Sequence, residues 1–235
     1  MQLFFDFDGT LADSSPGIYA SFEHACSCQD LTAPAYPEFC AAIGPPVQVL
    51  ARQFFPQLDA TELEEFRQTF RQDYDQHRFR LCHWFDRVEP TLLALSEIPG
   101  ARLAIITNKP TTPTVELLKA AGFSRYFELV VGIDYLAIHG AGPVFTHKHE
   151  AIHLAKTRLS SDTPMGFYIG DTPSDQRASL AGGLEFIAAT YGFYRWQETE
   201  LTGIRHVASI EDLVPWFVSS PQHKPAHSSA PESLT

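Results

Sequence analysis

Leu3-Phe4-Phe5-Asp6-Phe7-Asp8-Gly9-Thr10 is an apolar run that ends in two carboxylates and a glycine. The run predicts a buried strand, and Gly9 lets the backbone turn where it ends. Residues i and i+2 of an extended segment project to one face, so Asp6 and Asp8 stand side by side at the strand's C-terminal end if the extended geometry persists that far. Two like charges so placed repel unless a cation or a shared proton holds them. The alternative is a solvated loop whose aspartates cap the next element. That reading sets acids at the edge of an apolar core for no structural gain.

Outward from this stretch the chain changes character twice. Up to about Trp84 the apolar residues fall at helical spacing: Leu63, Phe66, Phe70 and Tyr74 form one stripe, and Val47, Leu50, Ala51 and Phe54 another, entered at Pro45-Pro46. Residues 14–84 therefore read as a small helical bundle. Beyond them, apolar runs at 103–107, 129–132, 167–170 and 186–189 alternate with helical segments at 113–121, 147–159 and 173–181. Such alternation builds an α/β fold around a parallel sheet, with the first strand placed centrally. Residues 219–235 are polar, rich in Pro and Ser and without periodicity, which predicts a disordered tail.

The chain has 235 residues, of which 44% are hydrophobic, enough for one sizeable core. Against 17 basic residues stand 28 acidic ones, and the formal charge of -11 disfavours nucleic acid or an anionic membrane as partner. No apolar run approaches membrane-spanning length and no secretory leader pattern opens the chain, so the expected compartment is cytoplasmic. Cys26, Cys28, Cys40 and Cys82 match no zinc-knuckle spacing and read as mostly buried free thiols.

In an open parallel sheet, ligands bind beyond the carboxyl ends of the strands. Three ends carry chemistry: Asp6 to Thr10; Thr107-Asn108-Lys109; and Gly170-Asp171-Thr172-Pro173-Ser174-Asp175. Four carboxylates, a hydroxyl and an amide thus converge on one rim. Carboxylate oxygens around a small pocket favour a hard cation, Mg2+ in particular when substrate phosphate completes the shell.

These residues resemble the motifs of the haloacid dehalogenase superfamily, in its phosphoglycolate phosphatase-like branch. Asp6-Phe7-Asp8-Gly9-Thr10 matches the family's Asp-x-Asp-Gly-Thr, Thr107 its hydroxyl motif, Lys148 its lone lysine before a helix, and residues 170–175 its Gly-Asp-x-x-x-Asp. The resemblance implies a Rossmann-like three-layer core made of residues 1–13 and 85–218, with residues 14–84 inserted as a helical cap. It also implies a Mg2+-dependent phosphatase acting on small phosphorylated metabolites. In that scheme Asp6 is the nucleophile and Asp8 the acid–base group. Asp6, the backbone carbonyl of Asp8, and Asp171 hold the metal. Thr107, Asn108 and Lys148 bind the phosphoryl group, while Asp175 orients Lys148 or a metal-bound water. His149 stands where many relatives have proline. A sugar-phosphate mutase and a non-catalytic binding module on the same fold stay open as alternatives.

Other features compete for the same residues. Thr107 and Asn108 can terminate a strand and cap a helix, and an isolated lysine such as Lys148 is ordinarily a solvated charge. His149-Glu150-Ala151-Ile152-His153 is a literal His-Glu-x-x-His, but Lys156 and Leu159 stand where the extended zinc motif has glycine and histidine. Gly140-Ala141-Gly142 lacks the third glycine of a dinucleotide fingerprint, with Phe145 in its place. Gly44-Pro45-Pro46 with Arg52 reads first as a helix start with a solvated arginine, and second as a cap loop facing the substrate.

Overall fold

Five apolar runs become strands of one parallel sheet in the computed structural model of the chain, which describes residues 1–159 and 165–218. The sheet consists of β1 (Gln2–Phe5), β4 (Arg102–Ile106), β5 (Leu129–Val131), β6 (Gly166–Gly170), β7 (Glu185–Ala189) and β8 (Arg205–Val207), in the order β5-β4-β1-β6-β7-β8. β1 lies between β4 and β6, parallel to both, with Phe5 opposite Ile105 on one side and Ile169 on the other. The order reverses around β1, which opens a crevice at its C-terminal end. β8 has no apolar run to announce it: it is an edge strand with exposed Arg205 and His206.

Strand alternation sorts the core into two layers. Leu3, Phe5, Leu103, Ile105 and Ile169 face α5 (Val88–Ser96), α6 (Thr111–Ala120) and α10 (Leu213–Val218). Phe4, Ala104, Ile106, Tyr168 and Ala188 face α8 (Lys148–Arg158) and α9 (Pro173–Ala181), and the short α7 (Tyr135–Ile138) follows β5. Because the sheet is covered on both faces, its strands read as continuous apolar runs. The three expected helices are α6, α8 and α9; α6 begins two residues before its expected start, directly after Pro110.

Residues 14–84 form α1 (Ser15–Cys28), α2 (Tyr36–Ala42), α3 (Val47–Phe54) and α4 (Ala60–Gln76). These helices have a core of their own, in which Phe22 packs against Phe39 and Phe66 at centroid distances of 4.7 and 4.9 Å. The α4 stripe of Leu63, Phe66, Phe70 and Tyr74 is buried. Its start is fixed by Asp59, whose carboxylate accepts from the Thr61 and Glu62 N–H groups, while Glu62 reaches back to the Asp59 N–H. The chain leaves the sheet and returns to it through β2 (Ala12–Asp13) and β3 (His83–Trp84), which pair antiparallel, so the two crossings lie side by side.

All four cysteines are free, but only Cys26 is buried; Cys28 is exposed near the end of α1, and Cys40 and Cys82 are half-buried. Residues 219–235 lie outside the described residues. Among the described residues no helix is long and apolar enough to cross a membrane.

Candidate active site

Asp6 follows β1 directly and is buried against the ends of β4 and β6. Its Oδ1 accepts the Phe7 N–H at 2.8 Å, and its Oδ2 accepts from Lys148 Nζ at 3.0 Å. Lys148 opens α8 and donates also to Asp175 Oδ1 at 2.5 Å. Its side chain is only 6% exposed, so it is a built-in countercharge and not a solvated one. Asp175 in turn has its Oδ2 occupied by the Thr172 hydroxyl at 2.6 Å and the Thr172 N–H at 3.1 Å, which caps α9. One carboxylate therefore terminates a helix and holds the lysine.

Asp171 ends the β6 segment and is fully buried. Its Oδ2 accepts the Phe193 N–H at 2.8 Å, whereas Oδ1 has no hydrogen-bond partner among the described residues. Gly9, at φ 78°, is required here: a Cβ on it would run into the Asp171 carboxylate, and the positive φ suits only glycine without strain.

Burial, then the charges of Asp175 and Asp8, push the Asp6 carboxyl up to about 7, although Lys148 opposes the rise. Asp171 is raised well above the carboxylate range by burial and by Asp175 and Asp6. Burial works against the charge of Lys148, but Asp175 and Asp6 outweigh it and hold the ammonium well above the ordinary lysine value. Three buried acids around one lysine form a site short of positive charge.

Oxygen atoms of Asp6, Asp171 and Asp175 lie within 4.8 Å of one another. Asp175 is committed to Lys148 and to the start of α9, each Asp6 oxygen accepts a single hydrogen bond, and Asp171 Oδ1 is the one oxygen of the three carboxylates without a partner among the described residues. An all-oxygen set with an unsatisfied buried carboxylate suits a hard divalent cation such as Mg2+.

Asp8 is set apart from this cluster. Its side chain is 21% exposed and its Oδ1 accepts from Lys109 Nζ at 3.1 Å. Thr107 is buried at the end of β4, where its hydroxyl accepts the Lys109 N–H at 3.2 Å, and Asn108 is half-buried. All seven residues except Asp175 line a single cavity of about 630 Å³. Its opposite wall comes from the helical segment: Gly44, Pro45, Pro46, Arg67, Arg71 and Tyr74. Both readings of residues 44–46 hold: Pro46 directly precedes α3 and Arg52 is exposed, while Gly44, Pro45 and Pro46 line the cavity, with Gly44 beside Thr172.

Two contributors were given no role by the sequence reading. Tyr74 reads as one more member of an apolar stripe, yet a buried phenol needs a partner for its hydroxyl, and here Lys109 Nζ donates to it. Lys109 itself lies two residues after Thr107, the spacing that returns a side chain to one face of an extended segment. The His-Glu-x-x-His segment is used otherwise. Glu150 accepts the Thr146 and His147 N–H groups at the start of α8, His153 is exposed and His149 half-buried.

Fold and site together define a Rossmann-like hydrolase of the phosphatase type. The chain belongs to the haloacid dehalogenase-like hydrolase family, whose model matches residues 3–189. It is 34% identical over 196 residues to a plasmid-encoded phosphoglycolate phosphatase of Cupriavidus necator, covering 80% of both chains. It is 28% identical over 226 residues to the phosphoglycolate phosphatase of Pectobacterium atrosepticum, covering 94% of each. The fold is shared with a haloacid dehalogenase-like hydrolase of Streptococcus pneumoniae at a TM-score of 0.79, with 24% identity over 92% of this chain and 97% of that one.

Proposed function

We propose that this protein is a Mg2+-dependent phosphatase that hydrolyses small phosphomonoesters through an aspartyl-phosphate on Asp6. The observation that carries this reading is the Asp6 carboxylate, held by Lys148 and the Phe7 N–H beside the unpartnered Asp171 oxygen, on the wall of a cavity. An oxygen of Asp6 attacks phosphorus and the bond to the leaving alkoxide breaks. Asp8 gives that alkoxide a proton, then takes one from the water that releases inorganic phosphate and restores Asp6. Lys148, Thr107 and Asn108 bind the phosphoryl oxygens, and Asp175 keeps Lys148 in place. A Mg2+ held by Asp6, Asp171 and the Asp8 backbone carbonyl would neutralise charge on nucleophile and phosphoryl oxygens, which otherwise repel.

Residues 14–84 act in this scheme as a cap on a core made of 1–13 and 85–218, and the paired crossings at β2 and β3 suit a hinge. The phosphoglycolate phosphatase relatives make phosphoglycolate the first compound to assay. The cavity of about 630 Å³ has room for larger bodies, so sugar phosphates belong in the same panel. Purified protein should release inorganic phosphate in a Mg2+-dependent manner. Asp6→Asn should lower the rate on the order of 10⁶-fold, as loss of a covalent nucleophile does. Turnover that survives Asp6→Asn would overturn the mechanism, and isomerised sugar phosphate without free phosphate would point to the mutase.

A further inference from the structure

We propose that Lys109 positions the Asp8 carboxylate, and that Tyr74, reaching down from α4, makes this positioning depend on the placement of the helical layer. The inference rests on Asp8 as the acid–base group and adds the residues that control it.

Lys109 has little freedom. Its backbone N–H donates to the Thr107 hydroxyl at 3.2 Å and its carbonyl accepts the Ile133 N–H at 3.3 Å, so the main chain is pinned at both ends. Its side chain is 2% exposed. The ammonium donates to Asp8 Oδ1 and to the Tyr74 hydroxyl, and lies 4.6 Å from the Tyr74 ring centroid and 5.6 Å from that of Phe7. Burial works against its charge, yet Asp8 and Tyr74 more than offset this and its pKa lies above the ordinary lysine value. Tyr74 is fixed too. Its ring stacks on Phe70 at 5.6 Å with planes 8° apart, and burial pushes its hydroxyl up to about 12, so it stays a neutral partner.

Lys109 does not touch Asp6 in any hydrogen bond or ion pair given by the structure; Lys148 serves that residue. A surplus cation for phosphate binding would not be sequestered between a phenol and Asp8. The three side chains connect α4, the loop after β4 and the Asp6-Phe7-Asp8 strand end, which ties the helical layer to the group that moves the proton. When α4 lifts, Lys109 loses its phenol anchor and the Asp8 carboxylate loses its fixed direction.

The test separates leaving groups. An alkoxide needs the proton from Asp8, whereas p-nitrophenolate departs without it. Lys109→Met should lower kcat/KM for an alkyl phosphomonoester about tenfold or more, within the span that general acid catalysis supplies. With p-nitrophenyl phosphate, kcat and KM should fall together and leave kcat/KM unchanged, because slower breakdown lets phosphoenzyme accumulate. Tyr74→Phe keeps the ring stack and removes only the hydroxyl; it should give the same pattern at roughly two- to fivefold, the worth of one hydrogen bond. Equal losses of kcat/KM on both substrates would overturn the positioning role while leaving the phosphatase reading intact. A wild-type protein that releases no phosphate from either substrate would overturn both.

Discussion

The rim carries two lysine–carboxylate pairs that differ in everything except their chemistry. Lys148 bridges Asp6 and Asp175, all three within the sheet core and its helices, with side chains 6%, 10% and 0% exposed. Lys109 pairs with Asp8, which is 21% exposed, and its other partner comes from the helical segment. The first pair is locked inside one packing unit, and the second spans two. In the proposed mechanism the first pair holds the nucleophile from within the core, and the second directs the acid–base group from a contact shared with the helical segment.

The sharpest way to break the comparison is to remove the first lysine. Lys148→Met should destabilise the metal-free protein by about 3–5 kcal/mol, because it leaves buried carboxylates uncompensated. Lys109→Met should cost distinctly less, since Asp8 can turn toward water. Urea midpoints of the two variants measure the difference, and equal losses would erase the distinction drawn between the pairs.

The carboxyl cluster gives a second, pH-dependent contrast. The folded-state pKa of Asp6 is raised from its ordinary 3.8 to about 7, and that of Asp171 is raised as well. Across this window these two groups retain protons in the folded protein that the unfolded chain has released, so their contribution to metal-free stability is largest in acid and is lost as pH rises through about 7. A cation that binds only the folded, deprotonated cluster reverses the loss. Thermal midpoints should therefore gain more from Mg2+ at pH 8 than at pH 5, and Asp171→Asn should flatten the metal-free pH dependence and shrink the gain. A Mg2+ effect that is identical at both pH values would remove the cluster from metal binding.

The smallest expected effect concerns the helical segment. Arg67 lines the cavity but is paired with Glu64 at the surface, both side chains being more than a third exposed. Arg67→Ala should leave the urea midpoint unmoved and raise KM for an anionic substrate roughly two- to fivefold, the scale of one exposed charge contact.

Much of the fold was legible because its signals are local. Buried parallel strands are short apolar runs, and Pro45-Pro46 marks a helix entry. β8 was not legible, since an exposed edge strand of Arg205, His206 and Val207 has no pattern to show. Within the site, Asp6, Asp8, Thr107, Asn108, Asp171 and Asp175 could be picked out because each sits at a strand end or one short turn beyond it. Lys148 needed the resemblance, since a lone lysine carries no pattern of its own.

What the chain's sequence determined by itself is the rim: the apolar runs stop where Asp6, Thr107 and Asp171 begin, which sets these side chains at the carboxyl ends of the strands whatever packs above. Only the tertiary structure decided the partnerships. Lys148 is 142 positions from Asp6, Lys109 is 101 from Asp8, and Tyr74 is 35 from Lys109. Burial is a property of the assembled layers and not of any segment, so the same folding event that excluded water from these groups also chose which charge answers which.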